Sequence, residues 1–457
     1  MANVIKIKRG LDINLKGKAS EVLLAGKPSA TYAIVPDSYN GIYPKVIVKA
    51  GEKVKAGSVL MVDKNRPEIK FVSPVSGEVL AVNRGEKRKV LSIVVKADTQ
   101  IEYEAFGKKN VASLKAEAIK EALLDGGLWP FIRQRPYDIV ASPSDTPRDI
   151  FVSAFYSAPL APSFEFIVGG QEADFQTGLD ALAKLTAGKV YVGLRPGSSL
   201  KLKGVEVVEF EGPHPAANVG VQINHIRPIN KDEKVWVVNP QDVILIGRLF
   251  NKGIADFSRL VVLTGSELKE RGYVRAIAGC SIASLLKGKV EEETFLNGFQ
   301  GLKHIRIISG NVLTGTKVSL DDYLLAYDNQ ITVIPEGDDV HEFLGWGMPG
   351  LEKYSVSRTF LTWMMGKNKA YDIDARIRGG KRAMIMSNEY DQVFPMDILP
   401  EYLLKAIIAF DIDKMENLGI YEVAPEDFAL CEFVDTSKIE IQKIVRNGLD
   451  LLYKEMN

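Results

Sequence analysis

The side chains best equipped for chemistry in this 457-residue chain lie in one short run, LWPFIRQRP. Trp129 and Phe131 offer flat apolar faces. Arg133 and Arg135 offer donors that keep their charge at any physiological pH. An apolar slot with a few placed donors suits a planar ligand with polar edges. His214 and His225 add donors that also exchange protons near neutral pH. They belong to GPHPAANVGVQINHIRP, a Gly/Pro/His/Asn cluster that reads as a shaped loop, and such loops carry function more often than packing. Each site has a plainer reading. The aromatic run can be helix-to-strand packing with solvent-facing arginines, and Pro213 and Pro215 can simply stiffen a long connection.

Other chemistries find little support. The two cysteines, Cys280 and Cys431, are far apart in sequence. An iron–sulfur cluster needs about four thiolates, so both read as buried free thiols. The four histidines, His214, His225, His304 and His341, show no zinc-site spacing. Lysine plus arginine, at 58, equals aspartate plus glutamate, at 58, so no global field favours nucleic acid or an anionic membrane. No apolar run is long enough to span a bilayer. The opening MANVIKIKRG is charged and alternates like a strand, unlike a signal peptide. These features predict a soluble, cytosol-facing chain, free to dock on a membrane complex.

The elements that must position these groups are legible as patterns. In residues 41–96, short alternating strands are separated by turns holding Gly51, Gly57, Gly77 and Gly85. They predict a small, flattened β-sandwich. The pattern GEKVKAG…LMVDK…SPVSGEV resembles the biotinyl/lipoyl-carrier fold, in which a hairpin-tip lysine takes the prosthetic group. Lys64 falls at that tip. It is a lipoylated lysine or a solvated turn charge, and the long segment after it and the stiff Arg66-Pro67 favour the second.

The opening residues 4–24 read as two further strands of this all-β unit. Residues 111–124 read as a helix ended by Gly126-Gly127. Strands at 151–155, 189–193, 205–210, 235–238 and 243–246, with a helix at 174–185, predict a parallel, doubly wound sheet. Residues 256–318, in the order ββαβ, predict a β-grasp unit. From His341 onward the chain reads as mostly helical, with one stripe over 400–418 and a capping box, Ser437-x-x-Glu440, opening the last helix. The fold class is therefore α+β and multidomain. It comprises a lipoyl-like barrel-sandwich over 1–100, a Rossmann-like α/β unit over 101–255, a β-grasp (SLBB-like) unit over 256–330 and a helical unit over 331–457.

Four phrases carry a specific resemblance: KIKRGLDINLKG, GPHPAANVGVQINHI, HEFLGWGMPGLEKYSVSRTF and PMDILPEYLLKAIIAFDIDKMENLGIYE. Together they resemble the A-subunit family of the sodium-translocating NADH:quinone reductase. The unit order is also similar to the C subunit of the Rnf complex and to the flavin subunit of respiratory complex I. Those relatives carry a glycine-rich flavin/NADH loop, because phosphates need close backbone approach. Here that position reads DGGLWPFIRQRP, with bulky side chains after Gly126 and Gly127. They also place cluster cysteines in the helical part, where this chain has only Cys431.

The resemblance implies a peripheral subunit, without its own redox cofactor, on the cytoplasmic side of a bacterial inner membrane. The complex oxidises NADH, reduces ubiquinone and exports sodium. FAD, FMN, riboflavin and an iron–sulfur centre belong to its other subunits, B to F. The subunit is then a scaffold and contributor to a quinone site, with Trp129, Phe131, Arg133, Arg135, His214 and His225 as its candidate residues. Trp346, Phe360, Trp363, Met364 and Met365 are a candidate interface with a membrane-embedded partner, or else a core helix. The alternatives are a flavin-dependent NADH-oxidising subunit and a carrier modified at Lys64.

Overall fold

The computed structural model describes residues 4–290, 304–338, 347, 349–366 and 368–456. Nineteen strands are described: β1 (Val4–Lys6), β2 (Thr31–Ile34), β3 (Pro44–Val46), β4 (Lys53–Val54), β5 (Val59–Asp63), β6 (Lys70–Val72), β7 (Gly77–Arg84), β8 (Val90–Ala97), β9 (Ile132–Arg135), β10 (Ile139–Val140), β11 (Ile150–Ser153), β12 (Val190–Leu194), β13 (Glu206–Glu211), β14 (Val235–Val238), β15 (Ser258–Thr264), β16 (Gly272–Ile277), β17 (Ile305–Ser309), β18 (Thr316–Val318) and β19 (Gln330–Pro335). They form four sheets. The largest has the order β1-β13-β12-β11-β14-β9-β10 and is parallel from β1 to β14. β9 and β10 extend it antiparallel.

Side-chain alternation decides what each face of this sheet meets. Successive residues of a strand point to opposite faces. Ile150, Val152, Val190, Val192, Trp236 and Val238 join one core. Phe151, Val208, Phe210, Val235 and Val237 join a second. The first core is built with α1 (Ala116–Asp125), α2 (Phe164–Val168), α3 (Glu172–Ala183) and, further along, α5 (Pro240–Lys252). It continues without a break into the barrel-sandwich and the β-grasp unit. The second core joins α4 (Val219–Ile226) to the C-terminal helices. A parallel sheet must be covered on both faces; here the C-terminal helices, through Leu403, Phe428, Val445 and Leu449, share the core on one of them.

The barrel-sandwich has sheets β2-β8-β7-β4 and β3-β5-β6. The β-grasp sheet is β16-β15-β19-β17-β18, with α6 (Ile282–Leu286) in the chain between β16 and β17. These match the expected sandwich and ββαβ patterns.

Several local readings are corrected. Residues 243–246, expected as a strand, lie inside α5. Asn239 caps that helix by accepting from Gln241 N–H, and Pro240 occupies its first turn. This asparagine–proline start is stronger punctuation than the β-branched run after it. The opening residues form one strand instead of two, and it joins the α/β sheet at β13 instead of the sandwich. Residues 219–226, expected within a loop, are helix α4. The stripe over 400–418 breaks at Phe410 (φ 56°), and Asp411 caps a second short helix. The last helix spans Ile441–Met456. Its expected Ser437 cap is not made: the first-turn amide of Gln442 donates to Glu432 Oε2 at 2.8 Å, while Asp435 accepts from the amides of Ser437 and Ile439 ahead of the helix. Of the stretch expected to be helical from His341, the described residues 349–366 and 368–388 are almost all irregular, with one short turn at Leu361–Met364, and regular helices begin at Tyr390. His341, Phe343, Trp346 and Met348 lie outside the described residues.

Helices α3 and α5 cross through two glycines. A Cβ on Gly178 would lie 2.1 Å from the Val243 carbonyl oxygen, and one on Gly247 would lie 1.7 Å from that of Asp174. Both obstacles are backbone, so a side chain there forces the helices apart. Gly247→Ala is expected to lower stability by about 2 kcal/mol, because overpacking outweighs the ~1 kcal/mol that alanine gains in a helix. Urea denaturation reads this directly, and an unchanged or raised midpoint contradicts the close crossing.

Candidate functional site

In an open parallel sheet, ligands bind beyond the C-terminal strand ends, where the winding reverses. Here the reversal lies between β11 and β14, because the chain winds from β11 to β12 and β13 on one side and later returns to β14 on the other. The crevice is filled from within. Tyr156, three residues past β11, donates to Asn239 Oδ1 at 3.2 Å, just past β14. Its hydroxyl accepts from Asn329 Nδ2 at 2.6 Å. Gln330, at the start of β19, donates to the Pro159 carbonyl. The first turn of α5 is also committed: Asn239 receives the amides of Gln241 and Asp242, and Pro240 has none. The backbone N–H groups that cradle phosphates at such helix starts are therefore spent. Burial, the largest effect, raises the Tyr156 phenol well above its ordinary range.

Beside this crevice the three N-terminal units meet around Phe131. Its ring packs against Tyr39, Phe257 and Tyr327, with centroids 6.0–6.5 Å apart. Arg259 lies over it at 5.7 Å. A cavity of about 40 Å³ opens here, lined by Tyr39, Phe71, Phe131, Phe257, Leu324 and Ala326 among others. That is room for two or three waters, not for an aromatic ring. Arg133 pairs with Asp138 at 3.2 Å and lies 5.1 Å from the Tyr327 ring centroid. Arg259 pairs with Asp242 at 3.1 Å, both almost fully buried. Asp242 Oδ2 and Arg259 Nε have no hydrogen-bond partner among the described residues. Burial pushes the Asp242 carboxyl up to about 6, against the pull of Arg259 and Arg133.

The six residues singled out from the sequence do not share one surface. Trp129 is fully buried edge-on to Trp236 and donates to the Ala141 carbonyl at 2.9 Å. Phe131 and Arg133 reach the three-unit junction together. Arg135 is buried elsewhere, donating to Asp427 at 2.6 Å, Glu426 at 2.9 Å and the Glu422 carbonyl at 2.7 Å. Gly220 of α4 makes room for it, since a Cβ there would lie 2.4 Å from the guanidinium. His214 is buried, its Nδ1 3.0 Å from Ser157 Oγ. Burial lowers its pKa to about 4, so it stays neutral at pH 7. His225 is exposed on α4, with Nδ1 near the Val221 carbonyl of its own helix.

The hairpin tip is fastened to the α/β unit. Arg66 pairs with fully buried Asp63 at 2.8 Å and donates to the carbonyls of Val140 and Gly41. The Lys64 amide is bonded to Tyr43. A carrier lysine needs a tip that can travel, and this one cannot swing without breaking those bonds. Cys280 and Cys431 are both buried and unpaired, in different cores. Among the described residues, no three His, Cys, Asp or Glu side chains are grouped to hold a metal, and no helix is long and apolar enough to cross a membrane. Of the expected interface, Trp363, Met364 and Met365 are exposed and Phe360 is half-buried; Trp346 lies outside the described residues.

Sequence reading missed Tyr39, Tyr156, Asp242, Arg259, Tyr327 and Asn329. One signal was available: recognising Asn239-Pro240 as a helix start puts Asp242 in the first turn, at the strand ends.

Comparison with known proteins covers almost the whole chain. Family models described as the NqrA N-terminal barrel-sandwich hybrid domain, the NqrA second alpha/beta domain and the NQRA C-terminal domain match residues 5–98, 114–255 and 260–319. Proteins described as the A subunit of Na(+)-translocating NADH-quinone reductase align along 99% of this chain and 100% of their own length. Identity is 37% for Pasteurella multocida, 36% for Neisseria meningitidis and 38% for Vibrio anguillarum. A looser likeness, at TM-score 0.36 and 12% identity, covers 51% of this chain and 52% of a chain of an NAD+-reducing [NiFe]-hydrogenase.

The Asp242 environment has a pH signature. With the carboxyl raised from 3.8 to about 6 on folding, the folded state holds its proton more tightly. Its contribution to stability is greatest below pH 4 and is lost as pH rises through 6. The shift is worth on the order of 3 kcal/mol. Denaturation of wild type and Asp242→Asn should show the wild-type advantage shrinking by about 1–3 kcal/mol between pH 4 and pH 7. A pH-independent difference contradicts the assignment.

Proposed function

We propose a role for this chain from the premise that it belongs to the A-subunit family of the Na(+)-translocating NADH-quinone reductase: it is the complex's docking scaffold on the cytoplasmic side of the membrane and carries no redox centre of its own. Membership makes it one subunit of an oxidoreductase complex that transfers electrons from NADH to quinone and exports sodium. Its partners are then the other subunits, B to F, which hold the FAD, FMN, riboflavin and iron–sulfur centre. The observation that carries this reading is the filled crevice. Tyr156, Asn239 and Asn329 occupy the place where a parallel sheet would receive a nucleotide. The fastened Lys64 tip and the two separate, buried thiols support it. Phe360, Trp363, Met364 and Met365, on an irregular and largely exposed strap, are the surface through which the chain meets the membrane sector.

A narrower second reading concerns quinone. Phe131 lines an apolar cavity bordered by Tyr39 and Phe257, Arg133 stands beside it over Tyr327, and Asp242 Oδ2 and Arg259 Nε are left unpaired at the same junction. A quinone ring edge would enter only as the three units part. Trp129, Arg135, His214 and His225 have structural employment elsewhere and are not part of this version.

Two measurements test these readings. The purified chain should show no visible absorbance band, and an intact mass equal to the 50.4 kDa of its sequence. Stoichiometric flavin overturns the scaffold role, and added mass at Lys64 establishes the carrier. In the assembled complex, Phe131→Ala should raise the quinone KM about fivefold, the scale of one lost apolar contact, and spare NADH oxidation by an artificial acceptor. An unchanged KM removes the junction from quinone binding.

A further inference from the structure

The described residues 350–366 and 368–386 run over the surface as a strap with one four-residue turn, Leu361–Met364. The strap holds Leu351, Val356, Leu361, Trp363, Met364, Met365, Ile377, Ile385 and Met386, each between 41% and 64% exposed. These are nine of the 21 exposed large hydrophobic residues among the described ones, on about a twelfth of the chain. Scatter, which is ordinary for single exposed residues, does not produce that concentration.

The same strap is basic. The whole chain is neutral, yet residues 350–386 contain eight lysines and arginines against three acidic residues. Asp374 is shared by Arg376 and Arg378, and Lys381 reaches Glu440. Arg358 and Arg382 have no acidic partner among the described residues. Arg358 instead lies over the exposed Trp363 ring at 5.3 Å, and Lys353 lies over Phe360 at 5.3 Å. Each of these pairs sets a cation against an apolar ring. That suits a headgroup boundary, where rings sit in the apolar layer and cations reach phosphate.

We propose that this strap binds an anionic phospholipid surface directly, with Trp363, Met364 and Met365 entering the boundary and Arg358 and Arg382 meeting lipid phosphates. The inference rests on the reading of the strap as a docking surface and adds its ligand. Charge chooses the ligand. Basic side chains interleaved with apolar ones match a negative bilayer surface, which favours each lysine or arginine brought near it. An irregular chain rich in methionine also suits a fluid surface better than a rigid, shaped protein pocket.

The test is sedimentation of the full chain with vesicles of phosphatidylcholine alone, or with roughly 30% phosphatidylglycerol. Binding should be about tenfold stronger on the anionic vesicles and fall with added salt. Arg358→Glu with Arg382→Glu should lower it roughly tenfold, and Trp363→Ala with Met364→Ala by a similar factor. Leu80→Ser with Leu91→Ser, exposed on β7 and β8 of the barrel-sandwich, should leave it unchanged; equal loss there means general stickiness and overturns the proposal. Absence of binding, or equal binding to both vesicles, also overturns it. Hydrogen exchange over 350–386 in the assembled complex then separates the two readings. Protection without vesicle binding keeps the docking surface with a protein occupant, and no protection removes both.

Discussion

The C-terminal unit is keyed onto the parallel sheet by one buried guanidinium. The Arg135 side chain is only 2% exposed, on the strand that turns the parallel sheet antiparallel. Taking such a charge out of water costs several kcal/mol and is tolerated only when its donors are met. Asp427, Glu426 and the Glu422 carbonyl, all from the C-terminal unit, meet them. Asp427 also accepts from the Ala424 amide, which ties the pair to the backbone that carries it. Gly220 leaves the space. The cover on that sheet face is thus keyed by a charge, while hydrophobic burial beneath supplies most of the energy.

The openings of this fold are closed by the chain itself. The sandwich keeps a hairpin of carrier type, but Arg66 pins its tip. The sheet keeps a crevice at its reversal, but Tyr156 fills it and a neighbouring unit locks it with Asn329. The thiols lie in separate hydrophobic cores, where burial pushes Cys280 up to about 12 and Cys431 well above its ordinary value. What remains outward is the basic, apolar strap, and that asymmetry fits a body that receives partners on its surface.

Much of this was legible in the sequence. Alternation in residues 31–97 and apolar runs such as Val235–Val238 placed the sandwich and the sheet, because buried parallel strands read as continuous hydrophobic stretches. The local failures share one cause: a strong short-range pattern met a stronger capping or pairing partner. Residues 243–246 look like a strand until Asn239-Pro240 is read as a helix start. Ser437 looks like a cap until the first-turn amide of Gln442 is seen to donate to Glu432, ten residues earlier. The candidate site was less legible, since Tyr39, Tyr156 and Asn329 come together from three units and no spacing along the chain announces it. Four of the six sequence candidates are held away from the junction for the same reason: Arg135 looks like a free donor until its partners, nearly three hundred residues later, are in view.

The pairing of β1 with β13 ties a strand to one completed about two hundred residues later in synthesis, since Val4 aligns with Glu209. At roughly 5–20 residues per second, a ribosome needs about 10–40 s to deliver that partner. Through that interval the edge of β1 waits unpaired. Lys6, Lys8 and Arg9, within and just beyond this short strand, put charge on that waiting edge, and charge on an open edge disfavours pairing with another chain.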